Sequence, residues 1–304
     1  MNMKLSVIIP SHNRKDILSK CLESLANQIV SAEYEVLVID DGSTDGTSDF
    51  MDDYAKDFPV PLKQYRLPGN GPAAARNVGI KNAIGDILLF IGDDIIAGTP
   101  HFLEHHLGWH QERFPSLEIA VLGYTTWSPE IEITPYMRWL ENGGPQFAYH
   151  TMENGGFAHF FRFYTCNISL KKAFIKDDLF DERFLYAAME DSELGYRLQK
   201  RGMKIIFNKQ ALGHHYHEIT LEEYCKRGFI AGRADVIFMN IHPEIVDIRS
   251  KPTWKQHVKK VIFTTMTISM WIRIAKYFER HFIMHRLYKG IYEYYFRKGL
   301  RYMR

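Results

Sequence analysis

Through residues 1–125, short apolar runs alternate with amphipathic stretches, and that alternation predicts a parallel sheet wrapped by helices. The predicted strands are Lys4–Ile9, Tyr34–Ile39, Leu62–Arg66, Ile87–Ile91 and Ile119–Gly123. Between the first two, Ile17, Leu18, Cys21, Leu22 and Leu25 fall on one face of a helix over Asp16–Gln28. Pro72 opens another helix at a first-turn position, where its missing N–H costs nothing.

From Tyr124 to Thr165 the periodicity fades, and Gly143-Gly144-Pro145 and Gly155-Gly156 interrupt a stretch dense in Trp, Tyr, Phe and His. A long irregular segment inside a compact domain reads as a functional loop or lid. Pattern resumes with a strand Cys166–Leu170, a helix Glu190–Arg201, a strand Lys204–Phe207 and a helix Leu221–Met239. In the tail, Ile268, Trp271, Ile272, Ala275, Phe278 and Phe282 form one helical stripe, with Arg273, Lys276 and Arg280 opposite and Glu279 on the apolar side. The uncharged run Val261–Ile272 is shorter than the roughly 20 residues that a membrane span needs, so the tail should lie on a membrane surface.

Charge separates the tail from the rest. Lys251–Arg304 holds 13 Lys/Arg and two acids, a balance of +11, against −9 for residues 1–250. The expected organisation is a catalytic domain over 1–250, with a nucleotide-binding half 1–123 and an acceptor-binding half 124–250, followed by a basic helical tail over 251–304. That tail should meet a membrane surface through residues 254–304, or else a second copy in a homodimer. Its continuous apolar stripe argues against nucleic acid. The start Met1-Asn2-Met3-Lys4 runs straight into an apolar strand and lacks a signal-peptide h-region, and Cys21, Cys166 and Cys225 match no disulfide or zinc spacing. Both features predict a cytoplasmic protein, peripheral on the inner face of the membrane.

Ligands of open α/β sheets bind at the carboxyl ends of the strands. Those ends are polar here: Pro10-Ser11-His12-Asn13-Arg14, Asp40-Asp41-Gly42-Ser43-Thr44-Asp45-Gly46 and Gly92-Asp93-Asp94. Each is also ordinary turn and cap chemistry. Adjacent carboxylates repel unless a cation offsets them, and hard oxygen donors suit Mg²⁺ or Mn²⁺ carrying a diphosphate. The helix at Glu190-Asp191 opens on acids, which the macrodipole also favours. His101, His105, His106 and His110 form i,i+4 pairs that read as an exposed helical face rather than a metal site.

Taken in order, Ser6–Pro10, Val38–Asp45, Ala75-Arg76-Asn77-Val78-Gly79, Gly92–Asp94 and Glu190–Leu194 resemble family 2 glycosyltransferases of the GT-A fold, over about residues 3 to 235. The resemblance implies a Rossmann-like, mostly parallel sheet flanked by helices and an inverting sugar transfer from a nucleotide diphosphate sugar, UDP being the commonest base. It places Pro10, Ser11 and Asp41 around the nucleobase and ribose, Asp93 near ribose and metal, and Asp94 on the metal. Asn13 and Arg14 join the donor-binding set, and Arg76 is a candidate for the diphosphate. Asp191 would be the general base with Glu190 supporting it, and His215, or alternatively His217, would reach the metal. Many relatives carry an acid where Gly92 stands. A glycan or lipid-linked acceptor would meet the aromatic residues around Trp127, Trp139, Phe147, Tyr149, Phe157, Phe160, Phe161 and Tyr164. The rival readings are a non-catalytic nucleotide or glycan binder that keeps the fold, and a nucleotidyltransferase, which would need a glycine-rich loop that Pro10–Arg14 lacks.

Overall fold

The computed structural model describes residues 3–142, 144, 148–175, 177–248, 259–278 and 284–303. Gly143, Pro145, Phe147, Lys251–Val258, Glu279, Arg280 and Phe282, all named above, lie outside the described residues. The chain forms two compact units: residues 1–131 with 149–217, and residues 132–148 with 218–304.

The first unit is built on one mixed sheet. Its strands are β1 (Leu5–Ser11), β2 (Tyr34–Asp41), β3 (Leu62–Leu67), β4 (Ile87–Ile91), β5 (Ile95–Ala97), β6 (Ile119–Trp127), β7 (Phe157–Ala158), β8 (Asn167–Lys171) and β9 (Lys204–His215). They run in the order β3-β2-β1-β4-β8-β6-β9-β5, with β7 also on β9. β1, β2, β3 and β4 are mutually parallel, so Ser11, Asp41 and Gly92 come off the same rim. The parallel series predicted from the sequence is broken by β8, which runs antiparallel to both β4 and β6. Every residue of β2 and β4 is buried, which is why these strands read as unbroken apolar runs.

Helix α1 (Lys15–Ala26) buries Leu18, Cys21, Leu22 and Leu25 against this sheet, the face its periodicity predicts. Helix α2 (Thr47–Tyr54) follows β2, α3 (Pro72–Asn82) follows β3, and α4 (Phe102–Gly108) follows β5. Gly79 of α3 meets β1 so closely that a Cβ would lie 2.4 Å from Ile8 Cγ2. β9 is longer than expected. Its register on β6 breaks between Gly123 and Tyr124, where the partner jumps from Asn208 to Leu212, and the strand then continues to His215. The polar bulge Asn208-Lys209-Gln210 hides this second half from apolar patterning.

The segment Tyr124–Thr165, expected to be irregular, carries the end of β6, a helix α5 (Pro135–Asn142) and the short strand β7. Its aromatic content has a packing role in the second unit. Tyr136 and Trp139 of α5 are buried against Tyr224 and Tyr288, with ring centroids 5.1–5.9 Å apart. Trp139 is therefore a core residue of that unit. Helix α6 (Lys172–Ile175) ends β8, and α7 (Glu190–Lys200) precedes β9.

The second unit is completed by α8 (Leu221–Ile241) and the helices Ile268–Phe278 and His285–Tyr302. α8 starts on a capping box in which Thr220 Oγ1 accepts from Glu223 N–H while Glu223 Oε2 accepts from Thr220 N–H. Glycines let it approach the last helix closely: a Cβ at Gly232 would lie 2.0 Å from the Phe296 carbonyl oxygen, and one at Gly299 would lie 2.1 Å from that of Phe229. The longer of its two segments starts at Glu218, upstream of the composition shift at Lys251, and takes in α8. Ile268 and Ala275 of the predicted apolar stripe are buried inside it, whereas Phe278 is partly exposed. Among the described residues no helix is long and apolar enough to cross a membrane.

Candidate active site

The site grows from the loops at the β1, β2 and β4 rim. Asn13 stands at φ +54°. In that conformation its backbone N–H donates to Ser43 Oγ at 2.9 Å and its Oδ1 accepts from the Thr44 N–H at 2.7 Å. His12 Nδ1 lies 2.7 Å from the Asp41 carbonyl oxygen, which can only accept, so the proton sits on Nδ1 and Nε2 accepts from Asn13 Nδ2. The first two loops are thereby laced together. Gly42, at φ +79°, sits where a Cβ would be 2.9 Å from Gly69 N, so the turn admits glycine alone. The Asp41 carboxylate accepts from the backbone N–H groups of Asn70 at 2.7 Å and Gly71 at 2.8 Å, fixing the entry to α3.

Asp93 and Asp94 are both buried. Ser11 Oγ donates to Asp93 Oδ2 at 2.8 Å, and Arg14 Nη1 donates to Asp93 Oδ1 at 3.2 Å and to Asp94 Oδ2 at 2.5 Å. Arg14 is thus the cation that lets the two acids stand side by side. The antiparallel pairing of β5 with β9 sets Ile95 opposite His215, which brings His215 Nε2 within 3.2 Å of the same Asp94 Oδ2. Burial opposes charge on Asp94, but His215 and Arg14 outweigh it and hold its carboxyl well below the usual range. Asp93 moves the other way, raised by burial and by the Asp94 charge. Trp127 covers the His215 ring at 5.2 Å, and the His217 ring is 5.7 Å from it.

A second acidic pair opens α7, after Met189 at φ +68°. Glu190 is buried and its Oε1 accepts from Arg76 Nη1 at 2.9 Å, while Glu190 Oε2 and Arg76 Nε have no hydrogen-bond partner. Arg76 is therefore committed to Glu190 in this structure. Asp191 Oδ1 accepts from its neighbour's backbone N–H at 2.7 Å. Burial, then the charge of Glu190, push the Asp191 carboxyl up to about 7, with Arg76 pulling it down.

Cys166 joins the two clusters. It sits next to Asn167, the partner of Ile91 at the end of β4, and its thiol is pushed up to about 12 by burial with contributions from both Asp94 and Asp191. The acids at the end of β4 and those that open α7 thus both bear on this thiol. The sequence did not single out Ser11 and Arg14 as partners of the acid pair, nor Asn77, whose side chain donates to the Phe180 carbonyl at 2.9 Å and accepts the Phe180 N–H at 2.8 Å. The adjacency of Arg76 and Asn77 at the start of α3 was the available signal.

The expected exposed histidine face is split: His101 is exposed and His105 half-buried, but the other two are not on the surface. His106 and His110 are buried, and their partners lie on β8. Asn167 Nδ2 donates to the carbonyls of Tyr124 and Ala211, so its Oδ1 accepts from His106 Nε2 at 2.9 Å. His106 Nδ1 then accepts from Ser169 Oγ, which in turn accepts from His110 Nε2, both at 2.9 Å. Burial holds His106 down to about 4 and His110 lower than usual as well, so both are neutral. Helical periodicity could not show which face of α4 would meet β8.

A divalent cation fits the donor rim in part. Asp94 Oδ2 and His215 Nε2 lie 3.2 Å apart, with Asp93 next in sequence, and oxygen and nitrogen donors of this kind suit Mn²⁺ or Mg²⁺. Among the described residues no three His, Cys, Asp or Glu side chains gather in a metal-holding group. The remaining positions would fall to phosphate oxygens and water. Of the expected acceptor aromatics, Tyr149 packs on Phe207 and Tyr124 inside the unit, while Phe157 and Phe161 are exposed.

Known proteins share this fold. A mannosyltransferase from Pyrobaculum calidifontis, solved with GDP-Man and Mn²⁺, superposes with a TM-score of 0.63 at 14% identity, covering 99% of this chain and 88% of that one. TarS 1–349 of S. aureus, solved with UDP-GlcNAc, gives 0.56 at 17% identity over 99% and 91%. These likenesses establish the GT-A fold. In sequence, a validoxylamine A glucosyltransferase of Streptomyces hygroscopicus subsp. jinggangensis is 30% identical over 233 residues, 69% of this chain and 54% of that protein. A poly(ribitol-phosphate) beta-glucosyltransferase of Bacillus spizizenii is 39% identical over 103 residues, 33% of this chain and 16% of that protein. The chain thus spans between a sixth and about half of these relatives. With the pattern of Glycosyl transferase family 2 matched over residues 6–174, more than half of its length, the chain belongs to that family.

Proposed function

We propose that the chain transfers a sugar from a nucleotide diphosphate sugar, a UDP-sugar, to a hydroxyl of a lipid-linked or cell-surface glycan, with inversion at the anomeric carbon. The observation that carries this reading is the gathering of Ser11, Arg14, Asp93, Asp94 and His215 at the carboxyl ends of the parallel strands. The fold shared with structures holding GDP-Man and UDP-GlcNAc supports the donor class. The cell-wall polymer named for the Bacillus relative supports a glycan acceptor.

In this reading Pro10, Ser11, Asn13 and Asp41 shape the loops around the nucleoside, and Asp94, with Asp93 and His215, would hold Mg²⁺ or Mn²⁺. When bound, such an ion neutralises charge on the diphosphate as a Lewis acid. Arg14, already between the two acids, supplies a cation on the same side. Asp191, raised toward neutrality, takes the proton from the acceptor hydroxyl as it attacks the face opposite the diphosphate. A positioned base contributes ~10²–10⁴-fold. Glu190 and Arg76 set its environment rather than touch the reacting atoms. The second unit, with Lys260 and Arg273 exposed in its tail, would bring the enzyme to the inner face of an anionic membrane as a peripheral protein, or pair two copies. The sign of the tail charge supports the membrane.

The test is turnover of a panel of nucleotide sugars with Mn²⁺, comparing the wild type with Asp191→Asn. Transfer by the wild type that drops by two orders of magnitude or more in the variant upholds the proposal. Donor binding with no turnover in either protein replaces it with a non-catalytic binder.

A further inference from the structure

The second unit holds a cavity of about 350 Å³ that sugar transfer does not use. On the helix His285–Tyr302, Tyr294, Arg297, Lys298 and Arg301 are spaced i, i+3, i+4 and i+7, so they share one face. Lys260 comes from the facing segment, and the buried Phe263 ring lies at the cavity wall. Gly290 makes room for that ring, since a Cβ there would lie 2.1 Å from Phe263 Cζ. Tyr294 Oη donates to Thr265 Oγ1 at 3.2 Å, which adds hydroxyls to the rim.

Four cations therefore line one small concavity, and no acid is among its lining residues. Glu293 is held by Lys259 at 2.7 Å, and among the described residues none of the four cations has a carboxylate within ion-pair distance. Arg297 gives one N–H to the Phe263 carbonyl at 3.3 Å, leaving other donors of its guanidinium. Burial, with Arg301 adding to it against Glu293, disfavours the charge on Arg297. Like charges held together at a half-buried site are stabilised by an anion, and a phosphate group matches both the guanidinium fork and the hydroxyls.

We propose that this pocket is a phosphate-binding site, seating the phosphate of a membrane lipid headgroup or of a soluble phosphate ester through Lys260, Arg297, Lys298 and Arg301. The site lies within the second unit and does not depend on the sugar-transfer reading.

The experiment uses the full chain. Binding is measured to inorganic phosphate by calorimetry, and by flotation to vesicles containing phosphatidic acid or phosphatidylglycerol at matched surface charge. Two pocket pairs, Lys260→Gln with Lys298→Gln and Arg297→Gln with Arg301→Gln, are compared with a control pair outside it, Arg286→Gln with Lys289→Gln. At about 1 kcal/mol for each basic residue, either pocket pair weakens binding roughly thirtyfold, while the control pair changes it far less. The first pocket pair removes only exposed side chains, so its fold is secure even if the Arg297 pair unfolds. Preference for phosphatidic acid vesicles assigns the site to a headgroup, and binding of inorganic phosphate without that preference assigns it to a soluble ligand. Equal losses in pocket and control pairs, or a wild type that neither binds inorganic phosphate nor prefers phosphatidic acid, would overturn the site.

Discussion

Arg76 Nη1 lies 2.9 Å from Glu190 Oε1 in a buried ion pair in which Arg76 Nε and Glu190 Oε2 have no hydrogen-bond partner. An ion pair with unmet valences indicates a role in tuning a neighbour more than in stability. The neighbour is Asp191. Removing one partner should be costly: Arg76→Met is expected to destabilise the protein by about 3–5 kcal/mol, because Glu190 stays buried and uncompensated. The double change Arg76→Met with Glu190→Met should recover most of that loss. Chemical denaturation of the three proteins checks it, and a double variant no more stable than the single one would contradict the argument.

The same triad fixes a pH response. In the proposed transfer Asp191 acts as a base only when ionised, and its carboxyl is raised to about 7 by burial and by Glu190. Accordingly kcat/KM should rise with pH through about 7 and level off above it. Glu190→Gln removes a raising charge and should move this limb to lower pH, while Arg76→Met removes a lowering one and should move it up. Pre-steady-state or initial-rate profiles in the two variants give the signs directly, and shifts in the same direction would refute the assignment.

Arg14 occupies the place between Asp93 and Asp94 that a divalent ion would share. Its removal should leave two close carboxylates without their internal cation. Arg14→Gln is therefore expected to bind Mn²⁺ about tenfold more tightly in the absence of nucleotide, near 1.4 kcal/mol. Electron paramagnetic resonance of free Mn²⁺ reads this without any turnover. Unchanged or weaker Mn²⁺ binding would show that the guanidinium does not compete for these oxygens.

The buried histidines predict how the fold responds to acid. His106 titrates near 4 when folded and at an ordinary 6.5 when unfolded, and His110 is likewise lowered. Stability is thus complete above pH 6.5 and falls as pH drops through 4, because the unfolded chain binds the extra protons. Each histidine contributes a slope of up to about 1.4 kcal/mol per pH unit across that window. Melting temperatures from pH 7 to 4 should show this decline, and His106→Gln should flatten it.

Helix contact in the second unit is equally exposed to test. A Cβ at Gly232 would stand 2.0 Å from a backbone oxygen that cannot swing aside. Gly232→Ala should lower stability by about 1–3 kcal/mol through overpacking, despite alanine's better helix propensity. A melting temperature equal to or above wild type would mean that the two helices separate at little cost.

Much of this architecture was legible because burial writes itself into composition. β2 and β4 are enclosed on both faces, so Tyr34–Ile39 and Ile87–Ile91 stand out as apolar runs. The acid pairs Asp93-Asp94 and Glu190-Asp191 stood out because like charges side by side need a reason. What stayed hidden depended on distant partners. The antiparallel direction of β8 is set by its neighbours β4 and β6, and local sequence carries no sign of it. Arg14 reads as a donor-binding residue, and its pairing with the acids emerges only when Asp94 is seen 2.5 Å away, while His106 reads as surface until Asn167 and Ser169 arrive from β8. Trp139, expected near a sugar, serves the core of the second unit because α5 belongs there.

Helix α3 begins on amides gripped by Asp41 and, within its first turns, sends Arg76 to Glu190 and Asn77 to Phe180. It ties the loop held by Asp41 to the approach to α7. In the proposed reaction, any movement that a bound donor imposes on Asn70 and Gly71 arrives, within two turns of this helix, at the groups that govern the basicity of Asp191. Donor occupancy and proton affinity at Asp191 would then be linked through a single helix backbone.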